Sequence, residues 1–103
     1  MTNQEKSTDS VELDNALKGL RYEVALADDL KGLLGDQRFI NVFLEDFCKK
    51  TVAHEVGQLI SANEILREGA LEKIKAAKFF EAYMDYVLSC GSAAKSDLAK
   101  GSN

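Results

Sequence analysis

Residues 35–47 read G-D-Q-R-F-I-N-V-F-L-E-D-F, a stop, a restart and then an apolar rhythm. Gly35 suits the left-handed position after a helix, and Asp36 can accept a hydrogen bond from the first free N–H groups of the next one. One helix is therefore expected to end and another to begin within two residues. Phe39, Ile40, Phe43, Leu44 and Phe47, continued by Val52, Val56, Leu59 and Ile60, fall along one wide helical face. Three Phe residues within nine positions put the centre of the core here. Lys49-Lys50-Thr51 interrupts the stripe, so a bend is expected near Cys48.

Upstream, Asp9 and Glu12 have the spacing of a helix start. Leu13, Leu17, Leu20, Val24 and Ala27 then follow in steps of four and three, a narrow seam of the coiled-coil type that drifts onto Leu26, Leu30, Leu33 and Leu34. Such a seam serves equally for packing within a bundle or against a second copy. Downstream, Ser61 and Glu64 have capping-box spacing, with Asn63 as a rival cap. Gly69 should loosen the next turn, and Leu71, Ile74, Ala77, Phe80, Met84, Val87 and Leu88 share the face of a third helix that Gly91 stops. Residues 1–8 are polar and aperiodic and read as a disordered lead. Residues 92–103 are small and polar and read as a flexible tail. The expected fold is all-α: a three-helix antiparallel bundle over 9–91, with short loops and a homodimer as an arrangement that the seam allows.

Composition narrows the function classes. A chain of 103 residues makes one domain with a modest core. Its net charge of −4 argues against nucleic acid as a general partner. The charge is uneven: residues 1–47 carry ten acids and five bases, whereas 48–103 carry seven acids and eight bases. Cys48 and Cys90 are too few for a disulfide framework, and with a polar opening instead of a secretory leader they read as reduced thiols in the cytoplasm of a cell. No apolar run reaches the length of a membrane span.

No residue set dictates a reaction. His54 is the one histidine, and neither Glu55 nor Cys48 stands at metal-ligand spacing from it. The pairs Asp28/Asp29 and Glu45/Asp46 point about 100° apart on a helix and cannot converge on one substrate. Lys73, Lys75 and Lys78 form a basic cluster, but Glu72, Glu81 and Asp85 dilute it and no Arg accompanies them to read base edges. No catalytic, metal or cofactor site is expected. Phe79, Phe80, Tyr83 and Tyr86 are more informative, because one face cannot bury all four. Phe80 and Tyr83 can turn inward while Phe79 and Tyr86 form a second stripe, covered by the first helix or open to a partner.

The stretch from Leu30 to Gly91 resembles a group of small helical proteins of tailed bacteriophages and prophages. The likeness rests on L-K-G-L-L-G-D-Q-R-F-I-N-V-F-L-E-D-F at residues 30–47 and on I-K-A-A-K-F-F-E-A-Y-M-D-Y-V-L at residues 74–88. Members commonly sit among virion or assembly genes with no agreed activity, and here Cys48-Lys49-Lys50 replaces a more acidic step. The resemblance implies a non-enzymatic protein that acts by protein–protein contact in virion assembly, as an accessory component or an assembly chaperone, in the host cytoplasm or in the virion. Leu13, Leu17, Leu20, Val24, Phe79 and Tyr86 are the expected contact residues. A host-directed inhibitor that docks on a bacterial enzyme through its acidic face is the alternative, and a DNA-binding regulator or packaging factor the second alternative.

Overall fold

Two short connections are tied down by hydrogen bonds, and they divide the chain into three helical stretches. The computed structural model describes the backbone of residues 2–101 and the side chains of residues 10–100. Helix α1 spans Thr2–Leu34. The middle stretch is a short α2, Gln37–Phe39, a π-helix, Ile40–Thr51, and α3, Val52–Gln58. Helix α4 spans Glu64–Gly101. No strand occurs among the described residues, and the all-α expectation holds.

The first connection starts where the sequence placed it, but by another device. Gly35 has no left-handed backbone, contrary to expectation. Its N–H instead donates to the carbonyls of Lys31 and Gly32, both at 3.2 Å, and the Asp36 N–H donates to that of Leu33 at 3.0 Å. These bonds close the end of α1 with a tightened last turn, so no residue has to reverse its φ. Asp36 is the expected cap: its backbone is extended and its carboxylate accepts from the Arg38 N–H at 2.9 Å. The Arg38 guanidinium grips the same carboxylate at 3.1 and 2.8 Å. That grip holds the Asp36 carboxyl below its ordinary range and the Arg38 side chain above its own.

At the second connection Asn63, not Ser61, caps α4. Its side-chain oxygen accepts from the N–H groups of Ile65 and Leu66 at 3.0 and 3.3 Å. The Ser61 hydroxyl accepts from the Asn63 N–H at 3.1 Å, and Arg67 donates to the Ser61 carbonyl at 2.7 Å. Capped in this way, α4 begins at Glu64 and runs through Gly69 without a loose turn.

The wide π turns of the middle stretch carry the helix past Lys49-Lys50-Thr51 and keep residues four apart close to one face. Two further expectations are corrected. Gly91 does not stop α4: it is buried, and a Cβ on it would collide with the Ala27 Cβ and sit 3.3 Å from the Glu23 carbonyl. Its role is close approach, and the helix continues through the expected tail, burying Ala94. At the other end α1 takes in the expected disordered lead from Thr2; the side chains of residues 1–9 lie outside those described.

The chain divides into two compact units. One joins the N-terminal part of α1, up to Leu30, with α4 from Val87 onward. Its buried residues are Ala27, Val87, Gly91 and Ala94, with Leu20, Val24 and Leu88 half-buried around them. The other unit is Lys31–Tyr86. Here Phe39, Phe43 and Phe47 gather on Phe80, with ring centroids 6.5, 5.6 and 6.0 Å from it. Cys48, Ala70, Ala77 and Met84 are buried in the same unit. Cys48 meets Glu81 while Glu55 meets Lys73, so the middle stretch and α4 run antiparallel there.

Both cores are built from small residues, and no large side chain among those described is fully buried. Alanine and glycine let helices approach closely, but the close approach leaves bulky neighbours outside.

Candidate docking surfaces

The residues around the Asn63 cap form the most exposed apolar region of the second unit. Ile60 is 91% exposed and Ile65 79%, with Val56, Leu59, Leu66 and Leu71 exposed beside them. Two clefts open between them. One of about 320 Å³ is lined by His54, Glu55, Gln58, Ile65, Leu66, Gly69, Ala70 and Lys73. The other, of about 280 Å³, is lined by Leu59, Glu64, Arg67, Glu68 and Leu71. The hydrogen bonds of Ser61, Asn63 and Arg67 fix the turn that carries these side chains, so they are presented on a rigid tip.

The polar residues of the tip are paired inward. Glu55 is buried in the line of the apolar stripe, and the Lys73 ammonium donates to its carboxylate at 3.2 Å. A buried carboxylate with a cation at one side is a satisfied pair that fixes α3 against α4. His54 lies exposed at the rim of the larger cleft. Among the described residues no three of His, Cys, Asp and Glu gather where they could hold a metal ion. Burial pushes the Cys48 thiol above its ordinary value, and the adjacent Glu81 carboxylate, which accepts from it, adds to the shift. The thiol stays protonated and packs as a small apolar group.

The second surface is on α4. Phe79 is 75% and Tyr86 65% exposed, with Tyr83 half-exposed between them. The expected seam of α1 divides: Leu13 is exposed, whereas Leu17, Leu20 and Val24 are half-buried. Those four residues lie in the first unit, and Phe79 and Tyr86 in the second.

No family model, curated protein or solved structure matches this chain. No helix among the described residues is long and apolar enough to cross a membrane.

The tip was missed at the sequence level because Val56, Leu59 and Ile60 continue the spacing of the core face. The available signal was the pair of isoleucines, Ile60 and Ile65, flanking a capped turn where the chain reverses.

Proposed function

We propose that this protein works by protein–protein contact, docking a partner helix on the apolar tip between α3 and α4. The observation that carries the reading is the exposure of Ile60, Ile65 and Leu66 on a turn fixed by hydrogen bonds. Apolar side chains carried on a turn fixed by hydrogen bonds cost less ordering entropy on binding than the same side chains on a loose loop, which favours affinity. Burial of one exposed Ile or Leu contributes about 1.5–3 kcal/mol before those costs.

The partner's chemistry follows from the rim. Glu64 and Glu68 lie beside the cleft that Leu59 and Leu71 line, while Arg67 is engaged with the Ser61 carbonyl. An amphipathic helix with Leu or Ile anchors and a basic flank fits this surface. The resemblance of residues 30–91 to small proteins of tailed phages supplies the biological class: an accessory component or assembly chaperone for a virion protein, without an enzymatic step of its own. The protonated, buried state of Cys48 supports a structural thiol over a nucleophile.

The test is an affinity pull-down from bacterial cells with and without co-expressed phage structural proteins, run in parallel with an Ile60→Asp/Ile65→Asp variant. Recovery of a capsid or tail protein by the native chain, and its loss with the variant at unchanged helix content, is the expected result. Equal recovery by both would remove the tip as the docking surface, and stoichiometric recovery of one host enzyme would replace assembly by inhibition.

A further inference from the structure

We infer that the larger cleft at the tip receives an arginine side chain of a protein partner, with its guanidinium held on the buried Glu55 carboxylate. The source of that arginine rests on the docking proposed above, whereas the chemistry of the cleft can be read without the partner.

The floor of the cleft is a half-used charge. Glu55 has a side chain only 9% exposed, and its Oε1 accepts from the Lys73 ammonium at 3.2 Å. Its Oε2 takes no hydrogen bond from any described residue. Among the described residues no sealed side-chain oxygen or nitrogen lacks a partner, so Oε2 reaches solvent, and the space that Glu55 lines is the cleft. A carboxylate this buried has given up most of its hydration, and a charged donor at the free oxygen offsets that loss.

The walls suit an arginine better than a compact ammonium. Gln58 stands one turn beyond Glu55 on α3 and brings a carboxamide oxygen to the same opening. On α4 the apolar surfaces of Ile65 and Leu66, both exposed, offer a bed for an aliphatic stem. Gly69 leaves the wall between them and Lys73 as bare backbone, since a Cβ there would meet nothing within 4 Å. A planar, weakly hydrated fork of N–H donors serves acceptors on two sides, where an ammonium is a point charge. At about 320 Å³ the cleft lies at the small end of ligand sites, which run from about 300 to 1,000 Å³, and so takes one side chain.

The charges select a cation. Residues 54–73 carry Glu55, Glu64, Glu68 and Glu72 against Arg67 and Lys73, and Arg67 is engaged with the Ser61 carbonyl. A negative tip draws a basic group toward its opening. Lys73 does not close the site: its side chain is 60% exposed, so its ammonium can shift along the surface as a second cation enters.

The test is a titration of the isotope-labelled full chain with N-acetyl-arginine methylamide, followed by amide chemical shifts. Saturable shifts at Gln58, Gly69 and Ala70 are expected at millimolar probe, with N-acetyl-lysine methylamide weaker and N-acetyl-glutamine methylamide silent. Glu55→Gln should weaken binding by about tenfold or more. Gly69→Leu fills the cleft from a position with room for a side chain and spares the Glu55–Lys73 pair; it should abolish binding, and it decides the matter even if Glu55→Gln fails to fold. Lys73→Met should bind the probe at least as tightly as the native chain. Loss of binding in Lys73→Met would mean that the cleft takes an anion through the lysine and would overturn the inference. Shifts that are absent, that do not saturate or that persist in Gly69→Leu overturn it too, and leave the Ile60/Ile65 docking surface standing. Probe binding beside a failed pull-down would remove the docking reading and uphold the arginine site.

Discussion

Replacing Gly91 by Ala should destabilise the protein, although alanine is the better helix former. In an exposed helix interior the exchange gains about 1 kcal/mol. At Gly91 the new methyl would overlap the Ala27 Cβ and press on the Glu23 carbonyl at 3.3 Å. The obstacle is another helix's backbone and its shortest side chain, neither of which can rotate away, so the helices must separate. Overpacking of this kind costs about 1–3 kcal/mol and more where backbone moves, and the loosened contact also uncovers Ala27, Val87 and Ala94. The net expectation is a loss of about 1–2 kcal/mol, a fall in Tm of about 4–16 °C for a domain of this size. Gly19, Gly32, Gly57 and Gly69 supply the internal control, because a Cβ on any of them meets nothing within 4 Å. Gly19→Ala and Gly69→Ala should each raise Tm by several degrees. Urea and thermal unfolding followed by circular dichroism measure both sets. A Gly91→Ala protein more stable than the native one would refute the close approach, and Ala27→Gly should recover part of the loss if the approach is real.

The remaining predictions concern the turns and the buried pair. Asn63→Ala removes the acceptor for two N–H groups at the start of α4 and should cost about 1 kcal/mol, read as a lower urea midpoint; an unchanged midpoint would mean that the cap is not formed in solution. Lys73→Met leaves the buried Glu55 carboxylate without its cation. Since Lys73 is itself exposed and the cleft open, the cost should be about 1–2 kcal/mol, below the 3–5 kcal/mol of a fully buried pair, and Glu55→Gln should cost less. The lowered Asp36 pKa fixes a sign. A carboxylate held below its unfolded value of about 3.9 contributes stability that is complete above that value and lost as pH falls through the folded one. Tm measured from pH 6 to pH 2 should therefore fall less steeply in Asp36→Asn than in the native protein, and parallel curves would exclude the Arg38 grip as the cause.

What the sequence disclosed and what it concealed differ in kind. Asp36 as a cap and the Phe39–Phe43–Phe47 face were legible because both are local: a carboxylate beside free N–H groups, and apolar residues at a helical period. The fate of Gly91 was not, because a glycine followed by small polar residues ends a helix unless another helix needs that glycine for contact, and Ala27 is sixty-four positions away. Residues 92–100 looked like a tail for the same reason: Ala94 carries too little apolar surface to announce its burial. The surfaces were half legible. Spacing put Phe79 and Tyr86 on one line, but spacing reports which residues share a face and never whether that face is covered, so Ile60 and Val56 read as core.

The π-helix acts as a phase corrector. From Phe39 onward the pairs 39/40, 43/44, 47/48, 51/52, 55/56 and 59/60 recur every four residues. In an α-helix each step of four overshoots a full turn by about 40°, so between Phe39 and Leu59 the stripe would wind about 200° around the rod and leave α4 behind. A π-helix turns about 82° per residue and undershoots by about 30° per step. Twelve residues of one and eight of the other nearly cancel, leaving Leu59 within about 20° of Phe39 in azimuth. That cancellation lets one rod show Phe43 to Phe80 and, three turns later, Glu55 to Lys73. Rewinding Ile40–Thr51 into α-helix would rotate α3 by about 200°, carrying Glu55 off its lysine and turning the Ile60 side of the tip to the opposite direction.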